Sequence, residues 1–120
     1  MAYDRNNVFA RILRGELPCN KVYEDEHVLA FHDIKPLAPT HILVIPKGEY
    51  VSLDDFSANA SAVEHSALIR ALGQIAAERG VAATGHRIIA NSANDGHQEV
   101  PHFHVHLFGV RDLDSMLLRR

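Results

Sequence analysis

The chain has 120 residues, of which 47% are hydrophobic and 22% are charged. This length and balance are typical of one globular domain and exclude a disordered or fibrous chain, so residues 1–120 are interpreted as a single domain. With 12 basic and 15 acidic residues the formal net charge is −3, which excludes the excess of cations that drives binding to long nucleic acids.

A single cysteine, Cys19, excludes an intramolecular disulfide and a zinc site built from several thiolates. The N-terminal stretch MAYDRNNVF lacks the regions of a secretory signal, and no apolar run reaches the ~18 residues of a membrane span. These features predict a cytoplasmic protein that has no membrane partner.

The first half of the chain predicts a short helix followed by three strands. Asn7 is a suitable cap for the helix, which Gly15 and Pro18 end. A polar bend joins the first two strands, and prolines border the third, which is apolar and β-branched. The strands are predicted at Lys21–Glu24, Val28–Asp33 and His41–Ile45.

The second half predicts one long helix and two further strands. From about Ser57 to Arg79 apolar residues recur at three- and four-residue steps, which indicates a helix with one buried face. Five strands with one long and one short helix predict an α+β fold with an antiparallel sheet. The apolar stripe is Val63, Ala67, Leu68, Ala71, Leu72, Ile75 and Ala76, and the strands are His86–Ala90 and Val100–Val110, joined by a polar loop at Asn91–Gln98.

Three histidines alternate with apolar residues in the last predicted strand. Because side chains alternate across a strand, His102, His104 and His106 are predicted to share one face, while the apolar residues between them anchor the other. Three titratable rings side by side do not help packing, since protonating one raises the cost of charging its neighbours. The pattern therefore predicts a functional site.

Metal ligation and histidine chemistry both account for such a row. Two imidazoles two residues apart can chelate zinc, but His102 and His106 lie about 13 Å apart along a strand, so three rings do not close on one ion. Chemistry on phosphorus uses all three, because a neutral imidazole can attack while its neighbours donate hydrogen bonds to phosphate oxygens or protonate a leaving group. His104, in the middle, is the natural attacker, and a metal site made by two histidines stays open.

The segment PHFHVHLF resembles the histidine–apolar signature of the histidine triad (HIT) superfamily. The similarity runs from about Val8 to Gly109 and includes the stretches LAFHDIKPLAPTHILVIPK and GHQEVPHFHVH. Within the superfamily the chain is most similar to the bacterial histidine triad nucleotide-binding proteins, and it is shorter than the galactose-1-phosphate uridylyltransferases. The resemblance implies a HIT-like fold whose sheet extends across a homodimer.

The same resemblance implies a hydrolase that needs no metal or other cofactor. Members of this branch cleave purine nucleoside phosphoramidates, or aminoacyl adenylates such as lysyl-AMP, to a nucleoside monophosphate through a covalent nucleotidyl-histidine intermediate. By position, His104 matches the nucleophile, and His102 and His106 match its partners, with His106 near the phosphate and leaving group. His41 matches a fourth histidine that takes part in a proton relay.

A nucleotide pocket is also implied by the resemblance. Asp33 would accept hydrogen bonds from the ribose hydroxyls, because a carboxylate offers two acceptors to two donors. The neutral amides of Asn91 and Gln98 would hold the phosphate or the leaving group. The other pocket residues are Phe31, His32 and Ile34 around the base and sugar, and Phe9, Ile12 and Leu17 on the purine side.

Glu99 marks a departure from the family pattern, since animal members carry a serine there in a Gly-Gln-Ser run. A carboxylate at this position would either accept from a substrate ammonium or face solvent, so leaving-group preference does not transfer. The C-terminal stretch DLDSMLLRR also differs from its animal counterpart. Substrate selectivity therefore has to be established for this chain itself.

Two other functions fit the sequence less well. A dinucleoside polyphosphate hydrolase would use the same attack on a phosphoanhydride, but the stretches APTH and FHDI favour the phosphoramidase branch. A regulatory module that binds a nucleotide or zinc without turnover is disfavoured because the four histidines His41, His102, His104 and His106 are all present.

Overall fold

The structure is a computed structural model that describes residues 2–110 and 112–113, so most of the C-terminal stretch DLDSMLLRR lies outside the described residues. The described chain forms one five-stranded antiparallel sheet with four helices, which confirms the predicted α+β class. The elements are α1 (Val8–Leu13), β1 (Lys21–Glu24), β2 (Val28–His32), β3 (Thr40–Pro46), α2 (Leu53–Asn59), α3 (Ala62–Glu78), α4 (Val81–Thr84), β4 (His86–Ile89) and β5 (Val105–Gly109).

The strand order is β1-β2-β3-β5-β4, so β1 and β4 lie at the two edges and the buried strand β3 lies in the middle. All seven residues of β3 are buried, as expected for a central strand covered on both faces. Extension of the sheet across a homodimer stays a prediction. Within the described part of the chain, no helix combines the length and apolar character needed to cross a membrane.

The two faces of the sheet carry separate apolar clusters because side chains alternate along each strand. The larger cluster packs α3 against one face and includes Ala30, Ile42 and Leu107. The smaller cluster lies on the other face, beneath the short helix α1; we call it the histidine-face cluster because His104 and His106 also lie on this side. Its buried members are Phe9, Leu29, Phe31, Leu43 and Ile45.

The predicted long helix is present as α3, but its predicted start at about Ser57 is wrong, because residues 57–59 belong to the separate helix α2. Helix α2 ends at Asn59, and Ser61 begins α3 with a capping box in which its hydroxyl accepts from the Glu64 backbone N–H and the Glu64 carboxylate accepts from the Ser61 N–H. Val63, predicted in the buried stripe, is 60% exposed because it lies in the first turn of α3, at the end of the packed face.

The last strand is shorter than predicted, since β5 begins at Val105 rather than Val100. The His102 backbone N–H donates to the Val100 carbonyl oxygen at 2.8 Å, and the Phe103 N–H donates to Tyr50 at 2.7 Å, so the chain turns before it joins the ladder. His102 and His104 therefore lie in an irregular segment. At the other end of β5, a Cβ on Gly109 would lie 2.5 Å from Val81 Cγ1, so only glycine lets the unpredicted helix α4 pack this closely.

Candidate active site

Four histidines meet on the face of the sheet that α1 covers. Antiparallel pairing sets His41 opposite Phe108 and Leu43 opposite His106, which brings the start of β3 beside β5. The ring centroids of His41 and His106 are 5.2 Å apart, and those of His104 and His106 are 5.0 Å apart. The structure thus brings together residues that are 65 positions apart in the chain.

The ring of His104 is fixed in one tautomer. Its Nδ1 lies 2.7 Å from the carbonyl oxygen of His102, and a carbonyl only accepts, so Nδ1 carries the proton. The unprotonated Nε2 then keeps its lone pair. Burial lowers the pKa of His104 and keeps the ring neutral near pH 7, while the Phe9 ring packs edge-on against it at 4.9 Å. This arrangement presents a nucleophilic nitrogen.

The ring of His102 is fully buried and engaged at both nitrogens. Its Nε2 donates to the carbonyl oxygen of Pro46 at 2.8 Å, and its Nδ1 accepts from the Tyr3 hydroxyl. Burial lowers the pKa of His102 to about 4. The sequence interpretation allowed this flanking ring to donate to a phosphate; in the structure its hydrogen bonds are made within the protein, and its backbone carbonyl orients His104.

His41 and His106 form a hydrogen-bonded pair whose direction can be derived. The Leu37 backbone N–H donates to His41 Nδ1 at 3.1 Å, so the neutral ring of His41 carries its proton on Nε2. That Nε2 lies 2.9 Å from His106 Nδ1, which accepts, so the neutral ring of His106 carries its own proton on Nε2. His106 therefore offers an N–H donor where His104 offers a lone pair.

All four rings are neutral at pH 7 for the same physical reason. Burial lowers the pKa of His106 to about 4, helped by the neighbouring His104 and His41, and burial also lowers the pKa of His41 against the opposing charge of Asp33. A cluster of neutral imidazoles supplies both donors and acceptors without a net charge.

The depressed histidine pKa values predict that acid destabilises the fold. His102 and His106 bind protons near pH 6.5 when unfolded but only near pH 4 when folded, so unfolding takes up protons between these values. The free energy of unfolding should fall as pH falls through this window, by about 2–3 kcal/mol per pH unit for two protons. Urea unfolding at pH 7 and pH 5 measures this slope. His102→Gln should remove about half of it, and equal stability of the unchanged chain at both pH values would contradict the prediction.

Asp33 lies against the His41–His106 pair. Its Oδ2 is 3.3 Å from His41 Nε2, and its Oδ1 accepts from the Lys35 N–H at 2.8 Å. The carboxylate is only partly exposed, and its remaining lone pairs allow it to accept further hydrogen bonds. Asp33 was predicted as the ribose acceptor; its contact with His41 is an additional role that the sequence did not indicate.

Of the three predicted pocket residues that flank Asp33, one lies on the histidine face of the sheet and two do not. Phe31 is buried in the histidine-face cluster, and its ring lies 5.5 Å from that of Phe9. His32 follows it at the end of β2 opposite Ile42, so strand alternation places it on the α3 face. Ile34 is 93% exposed. The structure therefore brings Phe31 to the histidines, but not His32 or Ile34.

Two of the three residues predicted on the purine side contact the cluster. Phe9 is buried and contacts Phe31, His102 and His104 through their rings. Ile12 packs against the same cluster from α1, whereas Leu17 is half-buried after the helix. The N-terminal helix thus covers the histidines with an aromatic ring.

The loop between β4 and β5 carries the last three predicted residues. Gln98 donates both amide hydrogens within the chain, to the Val51 and Val100 carbonyl oxygens at 2.6 and 3.0 Å, and accepts from the Ala93 N–H. In this conformation it holds the loop in place and offers no free donor to a phosphate. Asn91 is half-buried and Glu99 is exposed.

In the part of the chain that the structure describes, the atoms that could hold a metal ion are one ligand atom each from Asp33, His41 and His106, which lie within 4.8 Å of one another. A cation there would need the lone pair of His41 Nε2, yet the Leu37 N–H at Nδ1 leaves the proton of the neutral ring on Nε2. The hydrogen bonds therefore favour a proton path over metal ligation.

Sequence reasoning missed one residue that contacts the histidines, Tyr3, because no motif gives a signal for it.

Residues 14–113 match the HIT domain family. An uncharacterized 13.2 kDa HIT-like protein of Azospirillum brasilense is 60% identical over 117 residues, covering 98% of this chain and 96% of that protein. The purine nucleoside phosphoramidase of Escherichia coli (strain K12) is 42% identical over 117 residues, covering 94% of each. A structure of a HIT family hydrolase from Clostridium thermocellum superposes with a TM-score of 0.87 at 36% identity, covering 96% of this chain and 99% of that one.

This chain therefore belongs to the HIT domain family, as the histidine pattern of its sequence predicted.

Proposed function

We propose that the protein is a hydrolase that cleaves purine nucleoside phosphoramidates or aminoacyl adenylates to a nucleoside monophosphate. The observation that carries the proposal is the tautomer of His104, whose buried Nδ1–H is held by the His102 carbonyl so that Nε2 is free to attack phosphorus. The phosphoramidase name of the Escherichia coli relative supports the same substrate class.

The proposed reaction has two steps with balanced proton transfers. His104 Nε2 forms a bond to the α-phosphorus while the P–N bond breaks, and His106 Nε2–H gives its proton to the departing amine. His41 Nε2–H keeps its proton and donates to His106 Nδ1 across 2.9 Å, which stabilises the negative charge left on His106 beside the phosphorylated, cationic His104; this pair is the proposed relay. In the second step a water molecule attacks the phosphorus, gives up a proton to the relay and releases His104.

The proposed nucleotide pocket would lie beside these atoms. Phe9 and Phe31 are largely buried, and their small exposed parts together with the half-buried Ile12 are the apolar surface proposed to contact the purine. Asp33 keeps lone pairs for the ribose hydroxyls. His32, Ile34, Leu17, Asn91, Gln98 and Glu99 remain predicted pocket residues that substitution would have to test.

A homodimer is also part of the proposal. Strand β4 lies at an edge of the sheet, and Ile88 on that strand is 50% exposed. Within residues 2–110 and 112–113 no strand pairs with the outer edge of β4, and an edge that carries an exposed apolar residue is suited to pair with a second chain. The cytoplasm, where purine nucleotides and aminoacyl adenylates are made, is the proposed location.

The proposal is tested by trapping the intermediate. Protein mixed with an adenosine 5′-phosphoramidate and quenched in the steady state should gain the mass of one adenylyl group, located by peptide mapping at His104. A parallel comparison of turnover on the phosphoramidate and on a diadenosine polyphosphate distinguishes the two hydrolase classes. Absence of turnover on every phosphoramidate tested, with no adduct, would overturn the proposed function.

A further inference from the structure

The chain before α1 is tied to that helix by hydrogen bonds, and it carries Tyr3. The buried Asn7 side-chain amide donates to the Asp4 carbonyl oxygen at 2.7 Å, and the Asn7 backbone N–H donates to the same oxygen at 3.2 Å. From the end of α1, the Arg14 guanidinium donates to the Arg5 carbonyl oxygen at 2.7 Å. These contacts join the N-terminal residues to the helix that covers the histidines.

Tyr3 is half-buried and lies edge-on against the fully buried ring of His102, with the two ring centroids 5.6 Å apart. The neutral His102 ring carries its proton on Nε2, which donates to the Pro46 carbonyl oxygen, so its Nδ1 can only accept and the Tyr3 hydroxyl is the donor. Within residues 2–110 and 112–113, no other group hydrogen-bonds to this nitrogen. Tyr3 therefore satisfies a buried acceptor beside the proposed active site.

The backbone carbonyl of His102 is the group through which this residue acts on the nucleophile. It accepts from His104 Nδ1 at 2.7 Å. Residue 102 precedes β5, so the ladder between β3 and β5 does not hold it. The peptide that carries this carbonyl is anchored at its N–H, which belongs to Phe103 and donates to Tyr50 at 2.7 Å, and on its other side by the buried His102 ring. A shift of that ring moves the carbonyl relative to His104.

We propose that Tyr3 is a positioning residue for the proposed hydrolysis: its hydroxyl, acting through His102, keeps the His104 proton on Nδ1 and the attacking lone pair on Nε2. This role rests on the proposed function. Without the hydroxyl, His102 Nδ1 is a buried acceptor that lacks a donor, which is costly enough for the ring to leave its present position. The carbonyl then no longer selects one tautomer, and in the other tautomer His104 Nε2 carries a proton and cannot attack.

Tyr3→Phe tests this role because it removes one oxygen atom and keeps the aromatic ring beside His102. With adenosine 5′-phosphoramidate, the single-turnover rate of adenylylation should fall about tenfold, since a misplaced nucleophile reacts more slowly. The substrate concentration that gives half the maximal rate should change by less than about twofold, because Tyr3 is not among the residues proposed to bind the nucleotide.

Tyr23→Phe is a matched control that also removes one tyrosine hydroxyl. That hydroxyl donates to Asp25 Oδ2 at 2.8 Å, and the Tyr23 ring packs against the cluster beneath α3, on the opposite face of the sheet from His104. Its loss should leave the rate of adenylylation and the half-saturating concentration unchanged. Urea unfolding of both variants gives the folded fraction to which each rate is referred.

The tautomer of His104 is the readout that a merely structural role would not change. It is measured at pH 7, without substrate, by long-range ¹H–¹⁵N correlation spectra of protein labelled at histidine. The unchanged protein and Tyr23→Phe should show a protonated Nδ1 and an unprotonated Nε2 at His104, whereas Tyr3→Phe should show a mixture of both tautomers. A variant that is only less stable would keep the original His104 signals in its folded molecules.

The positioning role of Tyr3 requires both changes in Tyr3→Phe, the slower adenylylation and the mixed His104 tautomer. If either is absent from the folded variant while the unchanged protein cleaves the phosphoramidate, the role of Tyr3 is overturned and the hydrolase proposal stands. If the unchanged protein cleaves no phosphoramidate, the proposed function fails, and the role of Tyr3 in that reaction fails with it. The spectra then still decide whether Tyr3 controls the His104 tautomer.

Discussion

His104→Ala should lower phosphoramidate turnover by about 10³-fold or more and abolish the covalent adduct, while nucleoside monophosphate still binds. The expectation follows from the tautomer of His104, because no other ring of the cluster combines a free Nε2 lone pair with a backbone carbonyl that fixes Nδ1. Steady-state turnover, quenched mass spectrometry and calorimetric titration with AMP measure the three quantities.

Two further variants keep this prediction falsifiable. His104 is buried, so the alanine variant leaves a cavity; His104→Asn fills part of it and should show the same loss of turnover. His27→Ala changes a histidine in the β1–β2 hairpin, which β3 separates from β5, and should leave turnover unchanged. Undiminished turnover in a folded His104 variant would exclude His104 as the nucleophile.

His106→Ala should give a loss that depends on the leaving group. For an alkylamine, which must be protonated as it departs, removing the Nε2–H donor should lower kcat by about 10²–10⁴-fold. For an adenosine 5′-phosphate ester of 4-nitrophenol, whose anion departs without a proton, the loss should be less than about tenfold. Turnover of the two substrates by the same protein preparation gives the comparison.

The contrast between the two substrates is what identifies a general acid. An equal loss on both would assign His106 to positioning or binding instead of proton transfer. His41→Phe serves as a partner variant, since it removes the donor to His106 Nδ1 and keeps an aromatic ring beside Phe108, whose centroid lies 4.2 Å from that of His41. Its loss should show the same dependence on the leaving group, with a smaller magnitude, because His41 acts through His106.

The strands could be predicted from the sequence because each one carries its own pattern. Alternation and β-branched runs placed β1 to β4 within about one residue of the structure, and Asn7 caps α1 as predicted. The break between α2 and α3 was missed because the apolar period continues across it. The Ser61 and Glu64 pair is a capping-box signal that could have located it.

The sequence predicts which histidines form the candidate site, but it does not predict which of their ring nitrogens donate hydrogen bonds and which accept them. The pattern around His104 predicts a functional segment, and the family resemblance adds His41 and Asp33 to that prediction. The Leu37–His41 hydrogen bond spans only four residues, but the Pro46 carbonyl reaches His102, and His41 reaches His106, only when β3 lies beside the segment that leads into β5. Such contacts depend on long-range register, to which no local pattern corresponds.

The division of the sheet into two faces has a consequence for how this fold can change over evolution. The cluster under α3 contains most of the large buried side chains, while the opposite face holds the histidines under one short helix. Since the sheet separates the two clusters, substitutions at Asp33 or Glu99 can alter the proposed recognition site without disturbing the packing beneath α3. A scaffold divided in this way lets new substrate preferences accumulate while the same histidines keep their geometry.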